Sequence, residues 1–343
     1  MPPDLAPSHR QLPRTWAILP EAWRTPLLLL VLGASTLIAL MAREWGQMVH
    51  QWWVIDTYSH ILLVPPIIAW LVWLKGGELT GSRPQVWAPA LGLVAAALAL
   101  WVAGRASGLD IIAHAGAVGA LQAMVVLALG PRLALLFALP IGFAAFLVPF
   151  GDEIIPPLQA ITAEIAVALT LASGIPAEID GIYIDTPVGL FIVAEACSGV
   201  KFLIAMVTLA VLVCFTRLNA WRRRALFLVT AIVVPIIANG IRAWGTIYVA
   251  QFRGVEFAAG FDHIFYGWIF FACVVAFVLA IFWPLFDRDA EDYGWSREEI
   301  ARFAWMARIE HAGPGLPAAL GGFALLVVCA AILAAIVAPA GLG

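Results

Sequence analysis

The sequence predicts an all-α polytopic membrane protein of about nine transmembrane helices, within a range of eight to ten. Three observations lead there. Of 343 residues, 63% are hydrophobic and only 12% charged, whereas a soluble globular chain is roughly half apolar and about a quarter charged. Mean hydropathy is +0.96. The apolar residues are also gathered into runs of the length needed to cross a hydrocarbon core of about 30 Å. The same balance excludes other classes. With 19 Lys and Arg against 22 Asp and Glu, the chain is no basic nucleic-acid binder, and its 4 cysteines do not make a disulfide framework.

In chain order the candidate spans are 25–42, 60–74, 86–104, 111–130, 132–150, 199–216, 225–250, 264–286 and 316–338. Residues 1–24 carry Arg10, Arg14 and Arg24 and are too long and proline-rich for a cleaved signal peptide. The first run therefore reads as an uncleaved signal anchor behind a cytoplasmic tail. The second run is short and contains Pro65-Pro66. With a cytoplasmic N-terminus, the inner loops hold Arg10, Arg14, Arg24, Lys75, Arg83, Arg132, Arg217, Arg222, Arg223, Arg224, Arg288, Arg297, Arg302 and Arg308. The outer loops hold only Arg43, Arg105, Lys201 and Arg253. The positive-inside rule selects that orientation, since the opposite one places the larger set outside.

Residues 25–286 form the expected transmembrane core, and two stretches interrupt or follow its spans. Residues 151–198 form an acidic outer segment with an apolar portion, 154–172, opened by Pro156-Pro157. Glu164 would fall in mid-membrane if this portion crossed, so it is expected to lie on or dip into the outer interface. Residues 183–193 alternate and are β-branched, which predicts a short extended strand. Residues 287–315 read as a charged, amphipathic cytoplasmic segment, and 316–343 as a last transmembrane helix.

Polar residues placed where lipid should be are the informative ones, because a mid-depth charge costs at least about 2.5–3.5 kcal/mol on insertion scales. Arg242 falls inside the run PIIANGIRAWGTIYVAQ, with Asn239 three residues earlier on the same helical face. Cys214, Cys273 and Cys329 lie within apolar runs as small hydrophobes. Cys197 differs. It sits in IVAEACSGVKF at the outer start of a span, where orphan N–H groups and the positive helix end attract negative charge. Lys201 adds positive charge there and Glu195 opposes it. His263, beside Asp262 in FDHIFYGWIFF, begins another span at the same face. His60, in YSHILLVPP, begins the second span there, within a belt of Trp52, Trp53 and Tyr58.

Cys197, Arg242 and His263 are thus expected at one depth, in the outer leaflet. A thiol, a fixed cation and an imidazole are the parts of a cysteine acyl-transfer site. The thiolate attacks a carbonyl, the guanidinium stabilises the developing oxyanion, and the imidazole takes and returns a proton.

These motifs resemble the exosortase and archaeosortase family of membrane cysteine enzymes. The resemblance rests on EACSGVKF around Cys197, NGIRAWG around Arg242 and DHIFYGWIFF around His263, supported by YSHILLVPPIIAWLVW, and it covers residues from about 50 to 285. In detail it is most similar to the bacterial branch that includes exosortase A. It implies catalytic roles for Cys197, Arg242 and His263, with Asn239, Glu195, Ser198, Lys201, Asp262 and His60 as the supporting site, and no cofactor or metal. It also implies cleavage, through a thioester on Cys197, of exported proteins that end in a short motif such as Pro-Glu-Pro, an apolar helix and a basic cluster. The implied setting is the bacterial inner membrane with the active site facing the periplasm. The implied partners are those substrates, membrane lipids and exopolysaccharide-pathway proteins. Lys201 stands where the family pattern often has Arg, which keeps the charge and loses the planar fork.

Two further readings stay open at this stage. An intramembrane cysteine protease that hydrolyses without transfer has the same residues. A transporter or haem carrier would use His60, His114 and His263, yet the sequence has no CxxCH, HExxH or close histidine pair.

Overall fold

A computed structural model describes residues 21–79, 81–255, 267–311 and 315–337. Among these, nine helices are long and apolar enough to cross a membrane: Glu21–Leu40, Asp56–Leu74, Ala88–Ser107, Asp110–Leu136, Asp152–Ala172, Val200–Arg217, Trp221–Arg253, Gly267–Leu285 and Leu316–Val337. The protein is a multi-pass, all-α membrane protein, with one small sheet among the described residues.

The first half packs as a bundle. Helix α1 (Glu21–Leu40) is followed by the amphipathic α2 (Ala42–Val54). A 3-10 stretch, Asp56–Leu63, runs straight into α3 (Val64–Leu74), with Pro65 and Pro66 in the first turn, where a missing N–H costs no helical bond. A single turn, α4 (Gly76–Leu79), precedes the longer α5 (Leu91–Ser107) and α6 (Asp110–Leu136). The latter two pack tightly: a Cβ on Gly104 would lie 2.3 Å from the Ala113 nitrogen, and one on Gly116 2.4 Å from the Trp101 nitrogen. Small residues at such crossings let backbones close in where lipid gives no hydrophobic drive. Helix α6 bends at Gly130 (φ 81°, ψ 171°), just before Pro131. That backbone geometry is open to glycine and strained for any residue with a Cβ.

The expected span 132–150 is not one helix. Beyond the bend, α6 ends at Leu136, and α7 (Ala138–Phe143), a 3-10 turn (Ala144–Leu147) and extended residues carry the chain onward. Its contacts change level as it goes. Phe137 packs with Ile300 and Met306, Gln122 donates to Ile141 O, and Trp52 of α2 donates to Leu147 O. This short, broken path thus runs the height of the bundle, because 3-10 and extended residues rise further per residue than an α-helix.

The second half is organised by α10 (Trp221–Arg253), which at 33 residues is about 50 Å long. Helix α9 (Val200–Arg217) lines its first half in the antiparallel sense: Cys214 Sγ meets Arg224 O, while Phe202 lies beside Asn239. Helix α8 (Ile155–Ala172) lines its second half in the parallel sense. Thr162 meets Asn239, Ile165 meets Gly240, and Ser173 meets Trp244. Helices α8 and α9 are therefore stacked along α10, and together exceed one bilayer core. Arg217, Trp221, Arg222, Arg223 and Arg224 mark the basic end, where α9 finishes and α10 begins. The sequence places 154–172 at the interface, whereas Asp152–Ala172 is itself long and apolar enough to cross a membrane.

Beyond α8 lies an antiparallel sheet of β1 (Glu178–Asp180), β2 (Tyr183–Thr186) and β3 (Gly189–Ile192), in that order. The register pairs Ile179 with Ile184, and Ile184 with Phe191. One face, through Ile184 and Val193, packs with Ala163, Ala166 and Val167 of α8 and with Ile247 of α10. Helix α11 (Gly267–Phe282) packs back on α9 and α10 through Val278 and Phe282, which contact Phe227 and Ala231. At the basic end lie α12 (Arg297–Ala301), with a Ser296–Glu299 capping box, and α13 (Ala304–His311). There Tyr293, fully buried, donates to Leu71 O at 2.8 Å. Helix α14 (Leu316–Val337) closes the first bundle through Ala319, Phe323, Ala330 and Ala334.

Candidate active site

Cys197 ends a one-turn 3-10 helix, Glu195–Cys197, between β3 and α9. Its N–H donates to Ala194 O at 2.8 Å, and the Ser198 N–H to Glu195 O at 3.0 Å. Gly199 then takes φ +82° and lets α9 begin at Val200. Space imposes the same choice: a Cβ on Gly199 would meet Asn239 Cγ at 2.7 Å. Ser198 is buried, and its Oγ accepts from the Val200 N–H at 3.3 Å.

Side chains from α8 and α10 hold this turn. Asn239, buried in α10, donates through Nδ2 to Cys197 O at 2.8 Å and to Thr162 Oγ1 at 3.0 Å. Gln159 donates to Val193 O at 2.7 Å. The half-buried Cys197 packs into the apolar cluster around Ala163, Val193 and Ile247, beside Ala243. A backbone carbonyl in so apolar a place needs such partners, because an unpaired one costs about 1–3 kcal/mol.

Arg242 lies on α10 one turn beyond Asn239. Its Nε is buried with no hydrogen-bond partner, and no carboxylate lies within ion-pair range of it among the described residues. Its Nη1 adjoins the head of α11, where a Cβ on Gly267 would be 3.6 Å away. Lys201 reaches toward the same helix head, with Nζ 5.1 Å from the Phe202 ring and 6.0 Å from the Trp268 ring. The heads of α9 and α11 and the second half of α10 therefore meet around the Cys197 turn.

Not every expected residue joins this group. Glu195 is exposed. The His60 Nδ1 is engaged with Thr57 O at 3.0 Å, and no hydrogen bond joins its ring to Cys197, Asn239 or Arg242. Its 3-10 stretch is nevertheless tied to the start of α8 through Tyr58 Oη, which donates to Asp152. His263 and Asp262 lie outside the described residues. Gln159 and Thr162 were missed by sequence reasoning. Their signal was present: two polar residues three apart on one face of an apolar helix. No group of three or more His, Cys, Asp or Glu suited to a metal occurs among the described residues.

The fold and this site define a multi-pass membrane protein with a half-buried cysteine and, at the heads of converging helices, an arginine that has no acid partner among the described residues. Residues 52–280, about two thirds of the chain, match the family model of transmembrane exosortases, and the chain belongs to that family. No curated protein and no solved structure matches it.

Proposed function

We propose that this exosortase is a cysteine protease or transpeptidase that cleaves C-terminal sorting signals of exported proteins at the outer face of the bacterial inner membrane. One observation carries the reading: Asn239 grips the Cys197 carbonyl from the helix that, one turn on, bears Arg242, which has no acid partner among the described residues. Asn239 thereby ties the thiol's backbone and the guanidinium to a common frame. The basic end of the bundle is cytoplasmic on the positive-inside rule, which turns the Cys197 end to the periplasm.

In this reading the Cys197 thiolate attacks the scissile carbonyl, and Arg242 faces the oxygen on which negative charge develops. His263 takes the thiol proton and delivers it to the leaving amine, a role drawn from the family resemblance. The acyl group remains on Cys197 as a thioester until water or an acceptor nucleophile displaces it. A substrate tail whose helix is anchored by inner basic residues presents its motif at the Cys197 level. Substrate proteins, lipids and exopolysaccharide-pathway proteins are the partners in this reading.

Cells carrying Cys197→Ala should accumulate substrate with its tail uncleaved. Cys214→Ala should process normally, because Cys214 is buried between α9 and α10 with its Sγ on Arg224 O at 3.5 Å. Normal processing in the Cys197→Ala strain overturns the assignment.

A further inference from the structure

Strand β3 ends five residues before Cys197, and the groups it presents on its free edge follow from its pairing with β2. Val193 N–H donates to Ile182 O at 2.9 Å. These residues stand opposite each other in the continued register. Hydrogen-bonded pairs alternate along an antiparallel ladder, so they recur at Phe191–Ile184 and Gly189–Thr186. Leu190 and Ile192 therefore turn their N–H and C=O groups away from β2. Ile192 O accepts from the Ala194 N–H at 3.1 Å. The Leu190 N–H, the Leu190 C=O and the Ile192 N–H remain in a row without a partner among the described residues.

The two edges of this sheet are defended differently. The β1 edge carries Glu178 and Asp180, the inward or flanking charges with which sheets discourage further pairing. The β3 edge has the sequence Gly-Leu-Phe-Ile, with no charge and no proline. Its Leu190 and Ile192 side chains are 66% and 53% exposed, on the same face as the exposed Tyr183 opposite Ile192. An alternating row of donor, acceptor and donor with apolar side chains beside it is complementary to an extended polypeptide backbone and to little else.

We infer that the segment of substrate flanking the scissile bond docks as a fourth strand on the β3 edge, which delivers its backbone to Cys197. This rests on the reading of Cys197 as the nucleophile. The delivery is geometric: Gln159 fixes Val193 O at the end of β3, and Asn239 fixes Cys197 O four residues on. A peptide in register with β3 is thus in register with the thiol's turn. Backbone pairing supplies affinity, and Leu190, Ile192 and Tyr183 read alternate side chains.

The test uses the full chain in nanodiscs as the Cys197→Ala variant, so that binding is read without turnover. The probe is a synthetic tail peptide with a Pro-Glu-Pro motif, an apolar helix and a basic cluster. Each non-proline amide before the helix is replaced in turn by an ester. Binding should weaken about 2- to 10-fold at alternate positions only, the effect of one lost backbone hydrogen bond. Leu190→Pro removes an outward N–H that β2 does not use, and should bind the unmodified probe more weakly than Leu190→Ala. Should Leu190→Pro fail to fold, the ester series on the native edge decides alone. A series without alternation, or no binding of the probe, overturns edge docking. Cys197-dependent cleavage of the same probe by the wild-type chain is scored separately. Cleavage without alternation leaves the nucleophile standing and removes the docking edge, while alternating binding without cleavage does the reverse.

Discussion

Two polar clusters lie at the end of the molecule away from its basic face, and each contains an arginine. In the first, Arg105 at the end of α5 donates through Nη1 to Glu44 of α2 at 3.1 Å. Its guanidinium also lies 5.6 Å from the Trp101 ring, and His114 meets Gln47 nearby at 3.4 Å. In the second, Arg242 has Asn239 and the Cys197 turn for neighbours and, among the described residues, no carboxylate in range. A buried carboxylate and guanidinium that neutralise each other hold helices together. In the proposed mechanism the Arg242 guanidinium instead turns its donors to an oxygen that arrives with substrate. The two arginines differ in charge pairing: among the described residues Arg105 has an acid and Arg242 has none.

The widest divergence is expected between substitutions of the two arginines. Arg242→Ala should lower the rate of tail cleavage by roughly 10²–10³-fold, the scale of losing one oxyanion donor, with little change in thermal stability. Arg242→Lys should restore little, because an ammonium on a flexible stem does not reproduce the planar fork. Full activity in Arg242→Lys would reduce the role of Arg242 to simple charge. Arg105→Met should show the opposite pattern. It strands Glu44, which is 2% exposed, and should destabilise the fold by about 3–5 kcal/mol while sparing the rate per folded molecule. Adding Glu44→Leu should recover most of that loss. A double variant no more stable than the single would show that the pair carries no coupled charge.

Asn239→Ala comes next in size and sits between the two patterns. It leaves Cys197 O and Thr162 Oγ1 without their donor, at about 1–3 kcal/mol of stability, and also frees the turn that aims the thiol. Both melting temperature and cleavage rate should therefore fall, whereas Thr162→Val should lower stability and largely spare the rate. Equal rate losses in the two variants would make the α8 contact part of the positioning apparatus.

The membrane class, most of the long apolar helices and the prominence of Cys197, Asn239 and Arg242 were legible in the sequence because lipid makes charge and amide groups conspicuous. The course of residues 132–150 was not. Hydropathy sees 132–150 as one apolar run, but Gly130-Pro131, Pro140 and a 3-10 turn break it, and only their contacts with Phe137, Gln122 and Trp52 reveal that it rises in pieces. The reverse holds for 152–172, expected at the interface on account of Glu164, yet a helix long and apolar enough to cross. Gln159 and Thr162 were visible as polar residues on one face of an apolar helix, but their partners were not. Their partners, Val193 O and Asn239, are 34 and 77 residues away, and no local pattern pairs a helix amide with a distant carbonyl.

A contact at the basic end supplies the small end of the scale. Glu299 accepts from the Ser296 N–H at 2.8 Å and Ser296 Oγ from the Glu299 N–H at 3.2 Å, a capping box at the head of α12. The hydrogen bonds from Ser296 hold the Glu299 carboxyl below the usual carboxylate range. A lowered folded-state value means that the ionised form stabilises the fold above the ordinary Glu range, and that this contribution disappears as pH falls through the lowered value. Because Glu299 is exposed and screened, the effect is small: Glu299→Ala should cost at most about 1 kcal/mol near neutrality. Thermal unfolding of wild type and Glu299→Ala should converge as the solution is acidified below the usual carboxylate range, and a gap that persists there would assign the loss to side-chain packing. Ser296→Ala should cost a similar amount at neutral pH, since it removes the other half of the box. Neither substitution should change the rate of tail cleavage per folded molecule, because α12 lies at the opposite end of the bundle from Arg242.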